Sequence, residues 1–341
     1  MSKIKLKAAI LMGKKKIKYY NKLTEIVLPK NKLFVKIDYT GICGSQLMEL
    51  NLKRDNKKFL PHLFGHEGYG KVIKVGSNIK KLKPGDNVVL SWIKGKGIDS
   101  KGGKLNLNNH IVNYGPLTTF SNYSIISETR CFKVSKNFPP LLGAFFGCSI
   151  LTGFGMVYKN PIPKNKKILV IGVGGIGYNI LLALSSLNIK SKEVYVFEIS
   201  KHGQKRAKNL GFRNIIHKKI ELNRFKNYFD VCYEAAGKIE TIEYGFKLIN
   251  NKGILYFASH PENNSFLRLN PHDLIKGKKI QGVWGGNSNP DTDIKKYYNI
   301  IKKNNLIKKF PIKQLNLSQI AMAFSKMKNN KFFKIVLNCN K

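Results

Sequence analysis

The chain has 341 residues, of which 43% are apolar and 11% aromatic, enough to build real cores and too many for a disordered segment; the length exceeds what one core usually fills, so two domains are expected. The formal net charge is +42, yet only six of the 61 basic residues are arginine and the lysines are spread over the whole chain, which argues against a dedicated nucleic-acid reader built on the arginine fork. The five cysteines (43, 131, 148, 232 and 339) are odd in number and scattered without a Cys-x-x-Cys pair, which excludes a disulfide framework and suits a reducing, cytoplasmic setting.

No apolar run is expected to approach the roughly 18 residues a membrane span needs, and the N-terminus MSKIKLKAAILMGKKK recharges too soon to be a secretory signal. Along the chain, KLFVKIDYT (31–39) alternates as a strand does and runs into the turn Gly41-Ile42-Cys43-Gly44. GYGKVIKVGSNIKKLKPGDNVVL (68–90) reads as strands joined by Gly and Pro-Gly turns. Residues 94–115, rich in Gly, Lys and Asn and without periodicity, read as a long loop, and strands resume over 118–126. The first 145 residues are thus mostly β.

From about residue 150 the pattern changes. KKILVIGVGGIG (166–177) is an apolar run ending in glycines, and helical spacing follows in YNILLALSSLNI. EVYVFEIS (193–200), the helical QKRAKNLGF, FDVCYEAAG (229–237), a helix over 240–248 and GILYFASH (253–260) repeat the alternation. Strands that are apolar almost throughout, alternating with helices, predict a doubly wound parallel sheet. Helices over 294–305 and 318–328 and a strand over 332–338 close the chain.

Two constellations carry chemistry. Gly172, Gly174, Gly175 and Gly177 form Gly-x-Gly-Gly-x-Gly between a strand and a helix, where glycines allow a tight turn, a close backbone approach to a pyrophosphate and close helix packing. Glu198 follows Gly172 by 26 positions, at the end of the next strand. A carboxylate there accepts hydrogen bonds from ribose hydroxyls and repels a 2′-phosphate, so NAD is expected over NADP, with Lys201 and Lys205 as the residues that would soften the preference. The second constellation is Cys43 in TGICGS, His66 in FGHEG and Cys148 in FGCS, each beside glycine. Two thiolates and an imidazole are a known catalytic zinc set that leaves a fourth position open. Cys131, Cys232 and Cys339 lie in apolar, strand-like contexts and are assigned to packing.

With these motifs in view, the chain resembles the zinc-containing medium-chain alcohol dehydrogenases over nearly its whole length. The resemblance is carried by GICGS (41–45), GHEGYGKVIKVGSNIKKLKPGDNVV (65–89), TTFSNYSII (118–126), FGCSILTGFG (146–155), VIGVGGIG (170–177) and EAAG (234–237). It implies a GroES-like, mostly β catalytic domain over 1–149 and 284–341, and a Rossmann NAD-binding domain over 150–283. It also implies one catalytic zinc on Cys43, His66 and Cys148, with Glu67 as a neighbouring or alternate ligand and Ser45 as the hydroxyl relaying the substrate proton. Lys334 falls where the family often has a basic residue near the cofactor pyrophosphate. Trp92 and Trp284 are candidate walls of the substrate pocket. The implied reaction is hydride transfer between an alcohol, or its aldehyde or ketone, and NAD(H), in a homodimer or homotetramer with no membrane and no specific nucleic acid as partner. A polyol or sugar dehydrogenase with the same machinery is the alternative, and a basic nucleic-acid-binding protein reusing the fold a distant one.

Three departures from the family pattern stand out. Residues 93–117 contain no cysteine, so the family's structural zinc is expected to be absent. Gln46 stands where Asp is common and is expected to accept the second N–H of the zinc histidine through its amide oxygen. Met48 replaces a relay histidine found in some members.

Overall fold

The computed structural model describes all residues except 1, 54, 55, 108, 109, 161, 163–165, 188, 259, 263 and 329–333. The chain divides into two compact units: Met1–Cys148 with Asn289–Lys296 and Phe310–Lys341, and Ser149–Ser288 with Tyr297–Lys309. Where a single return near residue 284 was expected, the chain therefore leaves the second unit at Ser288, re-enters it at Tyr297 and leaves again at Lys309.

The first unit is built on two sheets. A seven-stranded sheet is centred on strand Lys32–Gly41, which pairs antiparallel with Glu67–Val75, Tyr123–Ser127 and Lys334–Asn338. Its β-branched and apolar residues Leu33, Val35, Ile37, Val72, Val88, Leu90 and Ile126 pack one face into a core. A second core holds Ile42, Phe64, Phe120, Phe324 and Ile335, with the Phe64 and Phe120 rings edge to face at 4.8 Å. The expected strand 332–338 is present from Lys334; residues 332 and 333 lie outside the described residues.

The five-stranded sheet of this unit departs from expectation. The presumed loop 94–115 contains strands Gly103–Leu107 and His110–Tyr114, paired antiparallel. The reason is visible in retrospect: Leu105, Leu107, Val112 and Tyr114 turn to one apolar cluster, while the exposed Ile111 on the opposite face masks the alternation of the second strand. The same sheet begins with a long hairpin, Ser2–Gly13 against Lys16–Ile26, where lysine alternates with apolar residues.

The second unit is a six-stranded, wholly parallel sheet. Its spatial order is Asn214–Ile216, Val194–Phe197, Ile168–Ile171, Phe229–Glu234, Ile249–Phe257, Lys279–Gly282. Numbered within the sheet this is 3-2-1-4-5-6, the doubly wound dinucleotide order, with its switch point between the first and fourth strands. Helices Gly175–Ser186, Lys201–Asn209 and Ile239–Leu248 make the crossovers.

One reading needs correction. Helical turns run without a break from Pro140 to Tyr158, 19 residues of mean hydropathy 1.7, which by length and composition is enough to cross a membrane. The run is 89% buried inside the protein, so it is a core helix whose apolar character answers to packing.

Candidate active site

Cys43, His66 and Cys148 are far apart in sequence and are brought together in the first unit, their ligand atoms all within 4.8 Å of one another. Cys43 is the N-cap of helix Gly44–Leu50, just after the central strand. His66 follows Gly65, whose φ of +99° and near contact with Thr119 and Phe120 leave no room for a Cβ. Cys148 lies in a π-turn, Phe146–Ile150, within the long buried helix. Two observations account for that turn: Ser91 Oγ donates to the Gly147 carbonyl at 2.7 Å, and Gly147 packs so closely on the Leu90 carbonyl that a side chain would overlap it.

The donor geometry fits a tetrahedral ion. The two sulfurs are 3.8 Å apart, and zinc at about 2.3 Å from each would set them about 3.8 Å apart. His66 Nε2 is buried with no hydrogen-bond partner, as a nitrogen reserved for a metal would be. The hydrogen bond from Cys148 holds the Cys43 thiol well below its usual range against the effect of burial, helped by Lys334 and His66. Cys148 is pushed well above that range by the same hydrogen bond and by burial. Burial opposes the His66 imidazolium, but the adjacent Cys43 sulfur and its charge, with Glu67, raise its pKa. A dication on these three groups would displace those protons.

Behind the three lies Glu67, fully buried, whose Oε1 accepts from Lys334 Nζ at 2.5 Å. Burial raises the carboxyl pKa and Lys334 opposes it. Burial likewise works against the ammonium of Lys334, and the charges of Glu67, Cys43 and Cys148 outweigh it and raise its pKa. Among the described residues, Cys43, His66 and Cys148 are the one group of three or more potential metal ligands.

In the second unit, Gly172 has a φ of +85° and Gly177 packs on the Gly172 carbonyl where a Cβ would overlap it. Gly174 is the N-cap of helix Gly175–Ser186, and open space faces both it and, apart from a Ser149 contact, Gly175. This is the cradle expected of a phosphate-binding turn. Glu198 is built into it: Oε2 accepts from Val173 N and Oε1 from Ser200 N, both at 2.7 Å. Each oxygen keeps a further lone pair for a hydroxyl. Arg206 donates to the Val173 carbonyl at 3.0 Å and braces the same turn.

Comparison with known proteins converges on one family. Residues 29–136 match the alcohol dehydrogenase GroES-like domain. Alcohol dehydrogenase class-3 of Drosophila melanogaster is 23% identical, with 89% of each chain covered. Benzyl alcohol dehydrogenase from Acinetobacter calcoaceticus shares the fold at a TM-score of 0.86 and 22% identity, covering 99% of both chains. An alcohol dehydrogenase zinc-binding domain protein from Burkholderia ambifaria does so at 0.88 and 20% identity, again over 99% of each. Over nearly its whole length the chain is similar to alcohol dehydrogenases of the zinc-type medium-chain family.

Within this family frame, the remaining expected residues fall as follows. Ser45 is half-buried in the first turn of the helix that Cys43 caps. Gln46 does not serve His66 as expected: its Oε1 accepts from the Cys43 backbone N–H at 2.8 Å. Lys334, expected at a cofactor pyrophosphate, is committed to Glu67 instead. Its strand registers Val336 against Gly41, and Ile42 N donates to the Ile335 carbonyl at 3.0 Å, which sets residue 334 beside the ligand turn. Trp92 is half-buried and packs on the core of the seven-stranded sheet. Trp284 is 66% exposed in the second unit, edge to face with His260 at 4.9 Å. Cys131, Cys232 and Cys339 are buried in cores, and burial pushes all three thiols up.

The cysteine-free segment 93–117 is tied down by carboxylates. Glu128 accepts from Lys81 N at 2.9 Å with one oxygen and from Ile98 N at 2.8 Å with the other. Asp291 accepts from Lys96 N at 2.7 Å, and Asp99 is engaged by Lys94 at 2.6 Å and Thr129 at 3.0 Å. Sequence reasoning passed over Glu128 and Asp291. The available signal was scarcity: in a chain with 19 acids against 61 bases, each acid has a strong reason to be where it is.

Proposed function

We propose that the protein transfers a hydride between a small alcohol and NAD, in either direction, using one zinc ion on Cys43, His66 and Cys148. The observation that carries this reading is the open three-ligand cluster, two sulfurs 3.8 Å apart with the His66 Nε2 left unpartnered. A bound zinc would supply a Lewis acid that stabilises the alkoxide form of the substrate. Cys43 and Cys148 would hold that ion as thiolates, and His66 as the neutral imidazole. Glu67 and Lys334 neutralise one another behind the cluster, so the site keeps its charge balance without drawing on solvent. Ser45 accepts the substrate hydroxyl proton and passes it outward; with Met48 in place of a histidine, the route continues through water or a cofactor hydroxyl. The glycine turn at 172–177 holds the pyrophosphate, and Glu198 takes the adenosine ribose, favouring NAD over NADP.

The polyol and sugar dehydrogenase reading uses the same site and differs only in the substrate. The protein acts in the cytoplasm as a homodimer or homotetramer, it lacks the structural zinc of other members, and its spread lysines bind nucleic acid only weakly and without sequence preference.

The test is cofactor reduction measured across primary and secondary alcohols, polyols and sugars with both cofactors. NAD is expected to be preferred by about tenfold or more in kcat/KM. Equal use of NADP would remove Glu198 from its role, and no turnover with any class by zinc-loaded protein would remove the reading.

A further inference from the structure

The ligand turn 41–45 joins the central strand to the helix that Cys43 caps. It carries glycine at 41 and 44, and a side chain on Gly44 would meet nothing within 4 Å, so neighbouring atoms do not confine that residue. Two backbone bonds tie the turn down. Ile42 N donates to the Ile335 carbonyl at 3.0 Å, and Cys43 N donates to Gln46 Oε1 at 2.8 Å. The second tether acts on the ligand residue itself.

Gln46 is fully buried, and the orientation of its amide is settled by chemistry: only the oxygen can face the Cys43 N–H. Its Nε2 is then buried without a hydrogen-bond partner. A buried, unpaired donor is unfavourable, and an apolar side chain of the same size would fill the space without it. The residue is thus poorly explained as core filler and well explained by the single bond it makes. It occupies the third position of the helix that Cys43 caps, the spacing at which a Gln side chain reaches back to the cap residue's N–H.

We propose that Gln46 is a positioning residue of the metal centre, which fixes the backbone of Cys43 and so sets how tightly the three-ligand site holds a divalent cation. This rests on the zinc reading above. A misplaced thiolate weakens the ion twice, through a longer bond and through a distorted angle, and outer partners of metal ligands are typically worth about 10–100-fold in affinity. Gln46 acts through Cys43 and touches no substrate atom.

The test uses the full-length chain with Zn²⁺ and Co²⁺ as probes. Gln46→Met keeps the volume and helix preference and removes the acceptor. Gln46→Asn keeps the amide, one methylene too short for the same reach. Gln46→Glu restores an acceptor at full length. Affinity is read by competition for Zn²⁺ with a chromogenic chelator, and ligand geometry by the visible absorption bands of the Co²⁺ form. The metal-free proteins are compared by circular dichroism and urea unfolding. Q46M and Q46N are expected to bind zinc about 10–100-fold more weakly and to show shifted, altered cobalt bands, with Q46E returning both toward wild type. Wild-type affinity together with an unchanged cobalt spectrum in Q46M or Q46N overturns the proposal. Wild-type protein that takes up neither metal overturns the zinc reading on which it rests, a result distinct from the first.

Discussion

Replacing Lys334 by methionine isolates the buried ion pair behind the metal ligands. The Lys334 side chain is 3% exposed and that of Glu67 fully buried, so solvent cannot take over when the ammonium is removed. Glu67 Oε2 already lacks a partner, which leaves the carboxylate nowhere to turn. Breaking a buried pair from one side costs about 3–5 kcal/mol, because an uncompensated charge stays behind. For a unit of this size each kcal/mol corresponds to about 2–4 °C, so K334M is expected to lower the unfolding temperature of the metal-free protein by about 10 °C. Removing both charges, in E67Q/K334M, should recover most of that loss, since the cost lies in the orphaned carboxylate. Raising salt should change the single variant little, because a buried pair is poorly screened. Thermal unfolding of wild type, both single variants and the double variant closes the cycle. A K334M midpoint within about 2 °C of wild type, or a double variant no better than K334M, would refute the account of the pair as a buried charge held by its partner.

Three further outcomes are expected. Cys148→Ser should abolish zinc retention and turnover while calorimetry still finds NAD binding, since the glycine turn belongs to the second compact unit; retained metal with near-normal activity would remove Cys148 from the ligand set. Metal analysis of protein purified without added zinc should find close to one equivalent per chain, because Asp99, the one acid of the lobe segment 93–117, is engaged by Lys94 and Thr129; two equivalents that resist a chelator would contradict this. Burial opposes the Asp86 carboxylate, but Lys133 at 2.7 Å and the Lys83 N–H at 3.0 Å outweigh it and hold its pKa below the usual range. Its contribution is therefore present above the unfolded carboxyl pKa and lost as pH falls through the folded one, so Asp86→Asn should cost about 1 kcal/mol near neutral pH and progressively less below pH ~4, and a cost that stays constant down to pH ~2 would rule this out.

Much of the site was legible because its signals are local. The glycine turn at 172–177 announces itself by spacing between an apolar strand and a helix, and Cys43, His66 and Cys148 each stand in a short glycine-rich setting. The parallel sheet was likewise readable, since strands buried on both faces are apolar almost throughout and alternate with helices. Strands of the first unit were harder: Gly103–Leu107 and His110–Tyr114 are half polar, and their inward residues are recognisable only once the partner strand is known. The apolar helix 140–158 was missed in the sequence, because Gly and Pro punctuate it and composition carries no information about what will cover it.

What the sequence by itself determined is which chemistry the protein can hold: two thiolates and an imidazole for a metal, a glycine turn for a pyrophosphate, a carboxylate for a ribose. What only the tertiary structure decided is which groups serve one another. Gln46 turns to Cys43 and away from the role expected of it at His66, because helix geometry places the third residue over the cap residue's N–H. Lys334 serves Glu67 because the register of the last strand against Gly41 brings together residues 267 positions apart. Glu128 and Asp291 pin backbone N–H groups of the lobe segment for the same kind of reason. Pairings of this sort depend on strand register and chain reversal, which are set by the whole packed fold, and a residue's type and its near neighbours in sequence do not encode them.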